Sequence, residues 1–259
     1  MSNTVIFTIG RMNPPTSGHM GLIKNLIERA IQFRENKVGI ILSHSVDSVK
    51  NPLECKEKRE FILSGMIDAL KNQMKREGQF PSDKIDEMQV VIVCMDDPTP
   101  EEFGKNRILK SFNALLSQFG YENPNAYLIV GGDRATDYGW IEKSLGDKIS
   151  SYQVEPLDRP EGAMSATEMR GYVKRGEYHT FMEKMRETGI PDEKSDELYG
   201  KVSIGLTPLQ VGLTPLPVKK SASKSSLKSV KKIGGKTYKR RKQRKTKHKK
   251  SKRRSMRKY

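Results

Sequence analysis

Four short runs rich in β-branched and other apolar residues, at positions 5–9, 38–42, 89–95 and 126–130, recur along the first part of the chain, and 151–155 is a more polar candidate for a fifth. Amphipathic segments separate them. Leu22, Ile23, Leu26, Ile27, Ala30 and Ile31 recur at helical spacing after the first run; Phe61, Ile62, Met66, Ile67 and Leu70 do so after the second. Ile108, Leu109, Phe112, Leu115, Leu116 and Phe119 make a third stripe before the fourth run. Short buried runs separated by helices of suitable length are strands joined by crossovers, and such crossovers give parallel pairing. The expected fold is therefore α/β, a doubly wound parallel sheet of about five strands, with ligands held at the carboxyl edge. Residues 71–88, polar and charged, read as a helix end and an exposed loop.

The loop after the first run is Gly10-Arg11-Met12-Asn13-Pro14-Pro15-Thr16-Ser17-Gly18-His19. Its two prolines fix φ and forbid an early helix, while Thr16 and Ser17 suit the cap of the helix that follows. A helix N-terminus presents unpaired N–H groups, and Gly18 lets a ligand approach the backbone, so this is an anion site by construction. His19 on the first turn can donate to a phosphate oxygen. On spacing alone it reads equally well as a solvent-facing histidine on a capped helix.

Further candidates lie at the ends of later runs. Ser43, His44 and Ser45 follow the second; Asn51-Pro52 and Arg59 lead into the next helix, where they read either as substrate contacts or as a turn and a solvated charge. Asp96 and Asp97 precede Pro98, in the manner of turn formers as much as of magnesium ligands. Gly131-Gly132-Asp133-Arg134 follows the fourth run, where bare backbone admits a base or ribose and Asp133 can accept from a ribose hydroxyl or a backbone amide. In Gly162-Ala163-Met164-Ser165-Ala166-Thr167-Glu168-Met169-Arg170, Ser165 and Glu168 form a capping box. The same stretch also offers a second helix N-terminus, two hydroxyls and a guanidinium to phosphate oxygens.

The first loop resembles the (Thr/His)-x-Gly-His motif of the nucleotidylyltransferase superfamily, with Thr16 where many members carry a first histidine. Gly-Arg-x-Asn-Pro-Pro-Thr is similar to versions carried by large DNA viruses and phages, often labelled cytidylyltransferase-like. Ser165-x-Thr167-x-x-Arg170 resembles the superfamily's C-terminal phosphate motif, and the order Ser-His, Asn-Pro, Arg is similar to archaeal-type nicotinamide mononucleotide adenylyltransferases. The resemblance covers residues 4 to about 186. It implies a Rossmann-like domain that transfers a nucleoside monophosphate from a nucleoside triphosphate to a phosphorylated acceptor, releasing pyrophosphate. AMP and a nicotinamide mononucleotide acceptor are favoured, with CTP-dependent cytidylyl transfer the alternative.

By the same resemblance His19, Thr16 and Arg170 are catalytic. Gly10, Arg11, Asn13, Gly18, Gly131, Asp133, Ser165 and Thr167 bind the nucleotide, and His44, Asn51 and Arg59 the acceptor. Mg2+ is expected to be bound mainly through substrate phosphates, with no protein ligand assigned. A class I aminoacyl-tRNA synthetase fragment shares the Gly-His loop, but the second motif here lacks the lysine-rich form.

Charge divides the chain. Of its 48 Lys and Arg, 21 lie in residues 219–259, which hold none of the 31 Asp and Glu. The remaining 27 basic and 31 acidic residues give residues 1–218 a net charge of −4, so the high pI belongs to the tail. The expected organisation is a catalytic domain over 1–188, a Pro/Gly linker over 189–218 with a Gly-Leu-Thr-Pro-Leu repeat, and a disordered Lys/Arg-rich tail over 219–259. Such a tail suits nonspecific nucleic acid or an import receptor, which makes a nucleic-acid-binding or virion-associated protein the rival from another class. Cys55 and Cys94 are too few for a disulfide framework, and their expected state is reduced thiols in an intracellular setting. No membrane span or signal peptide is expected, which suggests synthesis in the cytoplasm, with the basic tail adding nucleus or virion as destinations.

Overall fold

The computed structural model describes residues 3–101 and 105–207. Strands β1 (Thr4–Gly10), β2 (Lys37–Leu42), β3 (Gln89–Cys94), β4 (Asn125–Gly131) and β5 (Ser151–Leu157) form one sheet in the order β3-β2-β1-β4-β5. Every pairing is parallel. The chain winds outward from β1 to β2 and β3, then returns to the other side of β1 for β4 and β5. The fold is α/β and Rossmann-like.

Side chains alternate across β1 as pleating requires. Val5, Phe7 and Ile9 pack against Phe112, Leu115 and Phe119 of α5 (Arg107–Phe119) and Ile141 and Leu145 of α6 (Trp140–Leu145). Ile6 joins the other face, covered by α1 (Ser17–Phe33), α2 (Cys55–Phe61), α3 (Ile67–Glu77) and α4 (Ser82–Glu87). That face also takes α7 (Ala166–Arg175), α8 (Tyr178–Arg186) and α9 (Asp192–Leu206). Between α2 and α3 one π-helical turn spans Ile62–Met66. Gly39 of β2 has no Cβ because Leu115 Cδ2 lies 2.5 Å from where one would stand.

Three expectations need correction. The stretch over 71–88 is not all loop: α4 forms there because Ile85 buries its side chain under α3. The linker does not begin at 189. Helix α9 occupies Asp192–Leu206, with Leu198 and Val202, one turn apart, buried and Tyr199 set edge-on to Tyr178 and Phe181 at 5.0 and 5.2 Å. The linker from residue 208 and the basic tail lie outside the described residues. Finally, Cys55 and Cys94 are not free thiols but a disulfide, because α2 starts beside the end of β3 and brings their Cα atoms to 5.9 Å. Among the described residues no helix is long and apolar enough to cross a membrane.

Candidate functional site

The carboxyl ends of β1 and β4 adjoin at the point where the winding reverses, the usual position of a ligand crevice. A cavity of about 730 Å3 opens there. Its walls are the loop after β1, the first two turns of α1, residues 49–51, the turn after β4, residues 157–160 and one face of α7 as far as Lys174.

The loop after β1 is held from behind. Met12 stands at φ 42° with its side chain buried, a backbone conformation costing a non-glycine residue roughly 1–3 kcal/mol unless its surroundings enforce it. Lys58, fully buried, donates from Nζ to the carbonyls of Arg11 at 3.1 Å and Ser43 at 2.6 Å. Asn13 donates to Leu53 O at 2.9 Å and accepts from Leu53 N at 3.1 Å. These bonds fix the main chain that the cavity sees. Burial also brings the Lys58 ammonium down to about 8.

Thr16 takes the N-cap position of α1 without a side-chain cap; its carbonyl accepts from His19 N at 3.0 Å, which leaves the Ser17 and Gly18 amides at the helix start. The Thr16 hydroxyl lies 2.9 Å from His19 Nδ1 instead. Burial, then the charge of Arg159 and then that of Lys58, push the His19 imidazole down to about 4. The ring is thus neutral at pH 7, and if Thr16 donates to Nδ1 the remaining proton sits on Nε2. Gly18 completes this end: a Cβ there would stand 3.1 Å from Met164 O and 3.6 Å from Arg159 Nε, so the Arg159 guanidinium overhangs the start of α1.

Two long-range bonds join the distant motifs. Ser17 Oγ accepts from Met164 N at 2.9 Å, and Arg170 Nη1 donates to Asn13 O. Ser165 caps α7 by accepting from Glu168 N at 3.1 Å, while Glu168 accepts from Ser165 N at 2.7 Å. The Ser165 hydroxyl proton is left to donate elsewhere. Thr167 Oγ1 accepts from Arg170 Nη2 at 3.0 Å. Burial, then the neighbouring Arg11 charge, pull Arg170 below its ordinary pKa, so the two guanidiniums share a region rich in positive charge. Arg11, Lys50, Arg134, Arg159, Arg170 and Lys174 line the cavity against only Asp133 and Asp158. This positive lining belongs to a segment whose net charge is −4.

The structure therefore brings Gly10, Arg11, Asn13, Gly18, His19, Asn51, Gly131, Asp133, Ser165, Thr167 and Arg170 to one cavity. Three expected contacts do not line it. Thr16 is buried behind His19. His44 turns to Arg107 at the start of α5. Arg59 pairs with Asp97 at 2.5 Å, and Asp97 also accepts from Cys94 N at 2.8 Å, which makes it a turn former. The structure does not bring His44 and Arg59 to this cavity: α2 is rotated so that Lys58 points to the loop and Arg59 to the end of β3. Asn13 lines the cavity, but its side chain is committed to Leu53.

Arg159, Asp158, Lys50 and Lys174 were not among the expected contacts. Arg159 follows the fifth strand's carboxyl end, the same topological position that singled out residues 43–45 and 131–134, and that signal was sufficient to find it. Among the described residues the one close cluster of three metal-ligating groups is Cys55, Cys94 and Asp96, with both sulfurs in the disulfide and none of the three at the cavity. Two carboxylates on a cationic lining fit a magnesium ion carried by phosphate oxygens better than one held by the protein alone. No protein-family model matches the chain, and no curated protein matches it.

Proposed function

We propose that this chain transfers a nucleoside monophosphate, AMP foremost, from a nucleoside triphosphate to a phosphorylated acceptor. What supports this is one observation: two helix N-termini, α1 with His19 and α7 with Arg170, are tied to each other and open into a single cation-lined cavity. A phosphate oxygen of the acceptor attacks the α-phosphorus, the bond to the bridging oxygen breaks, and pyrophosphate leaves with the electron pair. No protein nucleophile is required. Catalysis comes from alignment and from donors aimed at the growing charge.

In this reading neutral His19 donates from Nε2 to the α-phosphate region, oriented by Thr16. Ser165, Thr167, Arg170 and Arg159 hold the departing phosphates, while Gly131 and Asp133 meet the ribose side. Magnesium would enter with the substrate phosphates and offset their charge, with no ligand assigned to the chain.

The test is pyrophosphate release by the full chain, with ATP and CTP each offered against nicotinamide mononucleotide and a panel of phosphorylated acceptors. The expected result is release with ATP and the mononucleotide, reduced roughly 10²- to 10³-fold in His19→Ala, the usual cost of one such donor. Release with CTP alone replaces AMP by CMP in the proposal. Absence of both release and nucleotide binding in folded protein overturns it.

A further inference from the structure

Cys55 and Cys94 are the only cysteines in the chain, and their disulfide joins the first residue of α2 to the last residue of β3. What surrounds it concerns the cavity. Cys94 pairs in register with Leu42, the last residue of β2, and the next residue, Ser43, gives its carbonyl to Lys58. Lys58 lies one turn after Cys55 on α2 and also holds the carbonyl of Arg11, a cavity residue. On the other side of Cys55, residues 49–51 line the cavity and are its near neighbours in sequence. The disulfide is thus one of the tethers that set where α2, and the loop feeding it, stand against the strand ends.

Cys55 and Cys94 are 3 % and 2 % exposed, so a reductant reaches the sulfurs when this corner opens. The exposed carboxylate of Asp96 lies within 4.8 Å of both. Two other tethers act in parallel, Asn13 with Leu53 and Arg59 with Asp97. Loss of the disulfide alone therefore loosens this corner without dismantling it.

We propose that Cys55 and Cys94 are a thiol–disulfide exchange site through which a dithiol reductant adjusts the segment 43–59 and with it the part of the cavity wall formed by residues 49–51. A thiolate of the reductant attacks one sulfur, the Cys55–Cys94 bond breaks, and a mixed disulfide forms. The reductant's second thiol then displaces the protein sulfur, leaving two protein thiols and an oxidised reductant, so two electrons and two protons pass to the protein. The reverse exchange with a disulfide oxidant restores the tether. The consequence for substrates rests on the function proposed above: residues 49–51 lie on the proposed acceptor side, so reduction weakens the acceptor more than the nucleoside triphosphate.

The experiment compares full-length chain oxidised with glutathione disulfide and the same chain reduced with dithiothreitol. Thiol titration after denaturation without reductant should find no free thiol in the first and two in the second. Amide hydrogen exchange over residues 43–59 should rise by about 10-fold on reduction, a local opening, with α6 unchanged. The acceptor KM should rise several-fold while the nucleotide KM moves less. A Cys55→Ser, Cys94→Ser double variant should exchange like the reduced chain and ignore dithiothreitol; if it does not fold, the two redox forms of the natural chain still decide. Two free thiols after oxidation, or exchange over 43–59 indifferent to redox state, overturns the proposal. Absence of pyrophosphate release in both forms, with the thiol and exchange results intact, counts against the proposed function and not against the exchange site.

Discussion

His19 owes its properties to what crowds it. An unfolded histidine titrates near 6.5 and this one near 4, so between those values the unfolded chain binds more protons than the folded one. The His19 contribution to stability is therefore complete above about pH 6.5 and disappears as pH falls toward 4. Urea unfolding of the natural chain should weaken across that window more steeply than that of His19→Gln, which has no such group to titrate. Arg159 contributes to the depression, second to burial. Arg159→Leu should raise the His19 pKa, read by NMR titration of the ring, yet leave it below 6.5 because burial persists. The same substitution should weaken triphosphate binding if Arg159 faces phosphate. Sequence pattern located His19 and Arg170, whose neighbours carry the motif. It did not reveal that His44 and Arg59 stand outside the cavity, because the rotation of α2 and the approach of Arg107 and Asp97 are set by packing between segments far apart in the chain.

Elements read from periodicity are those with long apolar stripes, such as α1 and α5, and those with β-branched runs, such as β2 and β3. Helix α9 escaped that reading because its buried residues are few, Ser195, Leu198 and Val202, and the aromatic contact that anchors it comes from Tyr178 and Phe181 on α8. Its last turn presses Gly205 against Pro52, where a Cβ would fall 1.9 Å from the carbonyl oxygen. Gly205→Ala should lift this turn from the loop that follows β2, seen as faster proteolysis after residue 200 with little change elsewhere. In the sheet, Gly39→Ala drives a methyl into Leu115 and should cost about 1–3 kcal/mol. Adding Leu115→Ala should cost less in the Gly39→Ala background than in the natural chain, a coupling that urea unfolding of all four proteins can measure.

For the molecule as a whole, the two cysteines show what composition cannot convey. Two thiols in 259 residues suggested a reduced protein, but the chain folds back over a sequence separation of 39 to bring them together. Closing a loop of that length restricts the unfolded chain by about 4 kcal/mol in the chain-entropy account, so reduction should lower the denaturant midpoint of the described domain by a corresponding amount. A shift much smaller than this would mean that the reduced, unfolded chain retains structure around α2. The positive lining of the cavity makes a related point: its charge is opposite in sign to the net charge of residues 1–218, so net charge gives no guide to the ligand.

The bonds from Ser17 to Met164 and from Arg170 to Asn13 span 147 and 157 positions. On a ribosome, a chain stopped before α7 has made β1 through β5 and Arg159 but lacks Thr167 and Arg170, which close the far side of the cavity. Such a fragment should be blind to the ligand. Occupancy by the ligand would then favour only chains whose synthesis has passed α7, and binding itself would distinguish finished protein from abandoned fragments.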